Sequence, residues 1–242
     1  FLRALRDVWM GEGAGAATLV DLGVVSNPYK GLRPFDESDS ADFFGREALI
    51  ERLLDRLRET GPASRFLAVV GPSGSGKSSV VNAGLLPAIR MGGLPGSGEW
   101  FVAQMKPGAN PLARLEQELL SLSSADIASL SEDLRYNKLG LLNAARLLLP
   151  PGAELLIIID QFEEVFTLCD SEEERAQFLD LLEVAAGAEG SPLRVIITLR
   201  ADFYDRPLMD EGFGDLMRQR TEVVLPMSTT EMERAITGPA ER

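Results

Sequence analysis

A glycine-rich run at residues 71–79, Gly-Pro-Ser-Gly-Ser-Gly-Lys-Ser-Ser, carries the residue types needed to grip a phosphate chain. Its spacing is G-x-x-x-x-G-K-[ST], filled by Gly71, Gly76, Lys77 and Ser78. Glycines let the backbone come close to the anion and adopt positive φ. The main-chain N–H groups of Pro72-flanked Ser73, Gly74, Ser75, Gly76, Lys77, Ser78 and Ser79 can then turn inward on phosphate oxygens. Lys77 can reach the β- and γ-phosphates, and the Ser78 hydroxyl can ligate Mg²⁺. A helix starting here adds the positive end of its dipole.

A second group, Asp160-Gln161-Phe162-Glu163-Glu164, follows five apolar residues. A carboxylate at the end of a buried strand can hold Mg²⁺ through its water shell, which suits Asp160. Glu163 and Glu164 are candidates to orient and deprotonate an attacking water. Three carboxylates this close repel one another unless a cation shares the site, which argues for Mg²⁺ rather than a bare acidic turn.

Arg200 lies just past a third apolar strand and can contact a γ-phosphate. The competing reading is an ion pair with Asp202 or Asp205. Arg206 is a weaker candidate, and Arg218 and Arg220 read as a solvated face. Phe44-Gly45-Arg46 can pack on an adenine; read from the residues alone, Phe43 and Phe44 serve slightly better as a staple of the N-terminal segment to the core. Cys169 reads as a small buried or half-buried residue.

The elements that must position these groups are legible as periodicity. Residues 66–70, 100–105, 155–159, 193–199 and 221–225 read as strands, and 155–159 has the continuous apolar run of a strand covered on both faces. Helical spacing covers 47–59, about 76–90, Pro111 to about Leu122, roughly 138–149, and a helix capped by Ser171 with Glu174 that runs to about Ala186. Residues 91–98 read as a Gly/Pro loop, and Thr229 or Thr230 as the cap of a final helix. Strands alternating with helices predict an α/β fold with a mostly parallel sheet and helices on both faces. Residues 1–26 read as an upstream-module tail and linker, 27–62 as an N-terminal docking segment with its helix, and 63–242 as the core.

Composition narrows the chemistry. The chain has 242 residues, 45% hydrophobic, with a net charge of −13. It contains no histidine and one cysteine. Ser-His-Asp and Cys-His nucleophiles, His-ligated metals and multi-Cys zinc sites are therefore excluded. Catalysis is left to carboxylates, Lys, Arg, hydroxyls and a hard cation. The acidic surface disfavours direct nucleic-acid binding, and no apolar run approaches the roughly 20 residues of a membrane span. A cytoplasmic location is expected.

With these segments in order, the chain resembles a STAND-class P-loop NTPase, related to NACHT and AP-ATPase domains. It is most similar to the novel STAND NTPase domain of bacterial multidomain regulators. The resemblance is carried by Asn27-Pro28-Tyr29-Lys30-Gly31-Leu32-Arg33-Pro34-Phe35, Phe43-Phe44-Gly45-Arg46-Glu47, the run from Gly71 to Ser79, Asp160-Gln161-Phe162-Glu163-Glu164 and Thr198-Leu199-Arg200-Ala201-Asp202. It implies an AAA+-like three-layer α/β/α sandwich with a five-stranded parallel sheet, in which Asp160 sits one strand removed from the phosphate loop. It implies ATP with Mg²⁺, adenine or ribose near Phe44, Gly45 and Arg46, and Arg200 in the sensor-1 place. It also implies partners in the same chain, an upstream effector with a downstream lid and repeats, and homo-oligomerisation on activation. The expected function is a nucleotide-dependent signalling switch with slow ATP hydrolysis. The alternatives are a non-catalytic, nucleotide-stabilised scaffold and a constitutive AAA+-type ATPase.

Overall fold

Three apolar runs, at residues 66–70, 155–159 and 193–199, form the centre of a parallel sheet. In a computed structural model that describes residues 29–31, 33–61, 63–122 and 129–241, the strands are β1 (Phe66–Gly71), β2 (Phe101–Met105), β3 (Leu155–Ile159), β4 (Leu193–Arg200) and β5 (Thr221–Val223). Their order is β2-β3-β4-β1-β5, and every pairing is parallel. β4 therefore separates the phosphate-loop strand β1 from β3, as the family resemblance implied. The expected linker at residues 1–26 lies outside the described residues.

The sheet is covered on both faces, and β1 and β3 at its centre accordingly have no polar side chain at any position. Phe66, Ala68, Val70, Ile157 and Ile159 belong to one core, with Leu115, Phe162, Phe178 and Phe213. Leu67, Val69, Leu156 and Ile158 belong to the other, with Leu49, Leu53, Val81, Leu85 and Ile89. The pleat sends successive residues to opposite faces, so each run feeds two cores. The result is a three-layer α/β/α sandwich.

Helices lie close to where the periodicity places them: Glu47–Arg58, Pro111–Ser121, Gly140–Leu148 and Glu172–Gly187. The Ser171 hydroxyl accepts from the Glu174 N–H, as its sequence position predicts. Behind the phosphate loop, helical turns run on to Gly93 instead of ending at Arg90. They alternate between α geometry (Lys77–Ser79, Leu86–Ala88) and π geometry (Val80–Leu85, Ile89–Gly93). The widened turns flank Pro87, which has no N–H to give the helix.

Other expectations are corrected. β5 ends at Val223, although the Val224 N–H still reaches the Val70 carbonyl at 2.7 Å. The last helix, Thr229–Glu241, is capped by Ser228 rather than Thr229 or Thr230. Ser228 Oγ accepts from the Glu231 N–H, and Glu231 Oε2 accepts from the Ser228 N–H, forming a reciprocal box. Among the described residues three α-helices are additional, the single turn Glu164–Thr167 together with Leu130–Tyr136 and Glu211–Gln219. The last of these contains Gly212 and Gly214, which weaken a helix read locally. It forms because Asp210 caps it and because Phe213, Leu216 and Met217 are buried. Arg220 is not on a solvated face: it is buried and donates to the Phe66 carbonyl at 3.1 Å, to Glu59 and to the Arg56 carbonyl. Arg218 does lie on the surface, paired with Asp215.

Candidate functional site

The site grows from the carboxyl ends of β1, β3 and β4, which the parallel register brings level. Val69 stands opposite Thr198, and Gly71 opposite Arg200. Ile159 pairs with Ile197, so Asp160, the first residue past β3, stands beside Thr198, which is still within β4.

From Gly71 the loop folds over the strand end. Gly74 and Gly76 have φ of +75° and +88°, a region L side chains avoid. Gly76 then occupies the cap position of Lys77–Ser79, and no side chain caps that helix start. Its first N–H groups have no intrahelical acceptor, which is the arrangement anions exploit. Pro72, Ser73 and Gly74 are exposed, while Ser75 Oγ is buried without a hydrogen-bond partner. Lys77 is 8% exposed and donates to the Gly71 carbonyl at 3.0 Å and the Pro72 carbonyl at 2.9 Å. Burial pushes its ammonium below the usual lysine pKa; Glu163 and Asp160 oppose that shift and Arg200 reinforces it.

Two hydroxyls converge on one carboxylate oxygen. Ser78 Oγ and Thr198 Oγ1 each donate to Asp160 Oδ1 at 2.6 Å. Residues 82 positions apart therefore meet directly. Both partners of the Ser78–Asp160 pair are hard oxygen donors, as Mg²⁺ requires. Among the described residues no group of three or more His, Cys, Asp or Glu could hold a metal unaided. That suits Mg²⁺, which is commonly held by one or two carboxylates with the rest of its shell from substrate phosphates and water.

Beyond Asp160 the chain makes an abrupt turn. Gln161 has φ of +58°, left-handed backbone for a residue with a Cβ. Phe162 dives into the core, stacked on Phe213 with ring centroids 5.4 Å apart. The two glutamates separate. Glu163 Oε2 accepts from the Arg200 N–H at 3.3 Å and faces the Lys77 charge. Glu164 Oε2 instead accepts from the Gly108 N–H at 3.0 Å, tying down the loop after β2.

Arg200 forms a two-point pair with Asp202, Nε to Oδ1 at 3.1 Å and Nη2 to Oδ2 at 2.6 Å, and lies over the Phe203 ring. The ion pair weighed in the sequence thus exists on the same arginine. Hydrogen bonding to Asp202 holds the guanidinium charged and the carboxyl below its ordinary range.

On the other side, Phe44, Gly45 and Arg46 meet the last helix. A Cβ on Gly45, whose φ is +86°, would stand 2.2 Å from the Glu231 carbonyl oxygen. Phe44 lies against Gly238 and lines a cavity of about 340 Å³ with Arg234, Thr237, Gly238 and Glu241. Arg46 is 4% exposed and donates to the Ser75 carbonyl at 3.2 Å and the Leu225 carbonyl at 2.9 Å, with Glu231 at 3.4 Å. Ser79 Oγ accepts from the Phe35 N–H at 3.2 Å. Cys169 is buried, and burial pushes its thiol up.

The sequence profile of the novel STAND NTPase 1 family matches residues 28–242. The chain belongs to that family. Its fold is also similar to the ORC2 protein of Aeropyrum pernix in its ADP form. The TM-score is 0.52 at 14% identity, over 88% of this chain and 55% of that one. This STAND NTPase thus spans about half the length of the archaeal structure, and at such identity the likeness concerns the fold alone. No curated protein matches it significantly in sequence. Together, family and fold make the chain a P-loop NTPase module of the nucleotide-binding kind. Among the described residues no helix is long and apolar enough to cross a membrane.

Two contributors escaped the sequence reading. Thr198 carries one local signal, a hydroxyl flanked by apolar residues in β4, but its contact with Asp160 depends on the register of β3 with β4. Glu231 lies 185 positions from Arg46 and carried no signal at all.

Proposed function

We propose that this STAND NTPase module binds ATP with Mg²⁺ and acts as a nucleotide-dependent switch with slow hydrolysis. The observation that carries the reading is the direct contact of Ser78 with Asp160 at 2.6 Å beside the glycine loop. In this reading Lys77 and the loop amides hold the β- and γ-phosphates, and Ser78 and Asp160 hold the metal. Bound Mg²⁺ supplies charge neutralisation on the phosphates. Glu163 is the proposed base, because it faces Lys77 and Arg200, whereas Glu164 is committed to Gly108. Phe44, Gly45 and Arg46 are proposed to flank the adenine, with Arg46 also bracing the loop through Ser75.

Arg200 is proposed to sense the γ-phosphate. Its pairing with Asp202 must be given up first, which supports slow turnover. Loss of the γ-phosphate would remove contacts and shift a two-state equilibrium. Upstream effector, downstream lid and repeats, homo-oligomerisation and a cytoplasmic setting in a bacterial regulator belong to the same proposal.

The same Arg200–Asp202 pair also favours a second reading, a nucleotide-stabilised scaffold without turnover. A thermal-shift titration with ATP, ADP and GTP, with and without Mg²⁺, tests binding. Stabilisation by ATP that requires intact Lys77 is expected; none would sink both readings. A single-turnover assay then separates switch from scaffold, since the scaffold leaves the γ-phosphate in place.

A further inference from the structure

We infer that Thr198 is the positioning residue that sets Asp160 for the metal from the sheet side. The inference rests on the reading of the site as one for ATP with Mg²⁺. Thr198 is 1% exposed, yet it is polar in a strand whose neighbours Ile196, Ile197 and Leu199 are fully buried apolar residues. A buried hydroxyl needs partners, and this one has them on a single short segment. Its Oγ1 donates to Asp160 Oδ1 at 2.6 Å and accepts from the Gln161 N–H at 3.0 Å. Its carbonyl accepts from the Phe162 N–H at 2.8 Å. One residue thus satisfies a group on each of three successive residues.

The middle one of those three is Gln161, with φ of +58°. A left-handed residue with a Cβ persists only where its surroundings over-determine it. Here they do so through Thr198 from one side and the burial of Phe162 from the other. The turn so held sends the chain on to Glu163, whose carboxylate reaches the Arg200 N–H. β-branching limits Thr198 to few rotamers, so its hydroxyl has little freedom to miss Asp160.

The two hydroxyls on Asp160 are not equivalent. Ser78 stands on the phosphate-loop side and is itself a proposed metal ligand. Thr198 stands on β4, part of the sheet, with its acceptor side already used by Gln161. Ser78 can ligate a cation through a lone pair while still donating its proton to Asp160, but it moves with the phosphate loop, whereas Thr198 is fixed in the sheet and also holds the Gln161 and Phe162 N–H groups. Outer partners of this kind orient ligands and tune the metal site.

The test compares wild type with Thr198→Val, which keeps the shape and removes the hydroxyl, and Thr198→Ser, which keeps the hydroxyl. Calorimetric ATP affinity is measured with Mg²⁺ and again in excess chelator, and the ratio of the two is the readout. Thr198→Val is expected to lower that ratio about tenfold or more, with chelator affinity near wild type and Thr198→Ser retaining most of the ratio. If the valine variant does not fold, Thr198→Cys, a weaker hydrogen-bonding group, gives the same comparison. An unchanged ratio in a folded variant overturns the inference, as does equal loss of affinity with and without metal. If wild type itself binds no ATP, the functional reading falls and this inference with it; if wild type shows the Mg²⁺ dependence and the variant matches it, only the role of Thr198 falls.

Discussion

At the strand ends, Asp160 and Thr198 meet because neighbouring parallel strands about 4.8 Å apart put them there, and Ser78 reaches Asp160 from the helical turn behind the phosphate loop. On the other flank, Phe44, Gly45 and Arg46 meet residues of the last helix with no sheet between them. The first region is bound by short hydroxyl–carboxylate bonds inside a fixed register. The second is bound across separations of 179 and 185 positions, from Arg46 to Leu225 and Glu231. The difference teaches where each kind of change should register. A change at the strand ends should alter ligand and chemistry with little effect on folding. A change in the N-terminal segment should loosen the last helix as well as reach the phosphate loop through Ser75 and Ser79.

The largest effect is expected at Lys77. Lys77→Ala should weaken ATP binding about a hundredfold or more in calorimetry while leaving the melting temperature of the ligand-free chain near wild type. Unchanged affinity would break the assignment of the phosphate end. Next, Glu163→Gln should slow hydrolysis by about 10²–10⁴ with ATP still bound. Glu164→Gln should spare the chemical step and raise proteolytic nicking near Gly108. The reverse pattern would move the base to Glu164.

Arg46→Ala sharpens the contrast from the other flank. It strands the Ser75 and Leu225 carbonyls and should cost about 2–3 kcal/mol in urea unfolding. A loss well below 1 kcal/mol would make the segment a passenger. A pH series probes the phosphate end again. Burial lowers the Lys77 pKa below 10.5, so its charge is lost earlier than that of an ordinary lysine as pH rises. ATP affinity should therefore begin to fall below pH 10.5, and Lys77→Arg, where it still binds, should shift the fall upward. Stability takes the opposite sign. In that window the unfolded chain holds the proton that the folded chain has released, so the Lys77 contribution to stability rises with pH. The smallest effect is expected for Tyr29→Phe, which removes a 2.8 Å bond to the Ile236 carbonyl at an exposed site. It should cost about 0.5–1 kcal/mol, read as a small loss of melting temperature.

Local pattern was a good guide wherever a local cause dominates. Continuous apolar runs marked the central strands because a strand covered on both faces has no polar side. Ser171 and Asp160 were legible because a cap and a strand end are defined within a few residues. The reading failed where distant packing outweighed local preference. Gly212 and Gly214 argued against a helix that the burial of Phe213, Leu216 and Met217 makes stable. Arg220 looked like any surface arginine until Glu59 and two carbonyls closed around it. For Arg200 the sequence held both outcomes, a phosphate contact and an ion pair, since Asp202 is only two residues away.

From the order of residues alone came the phosphate loop, the acidic strand end, the α/β alternation and the exclusion of histidine chemistry and multi-Cys zinc sites. These follow from spacing and from which atoms are present. Which of Glu163 and Glu164 faces Lys77, that Thr198 supports Asp160, and that Arg46 spans from the loop to the last helix were decided only on folding. Those choices depend on register between non-consecutive strands and on contacts nearly two hundred positions apart, and no local window of the chain contains both partners.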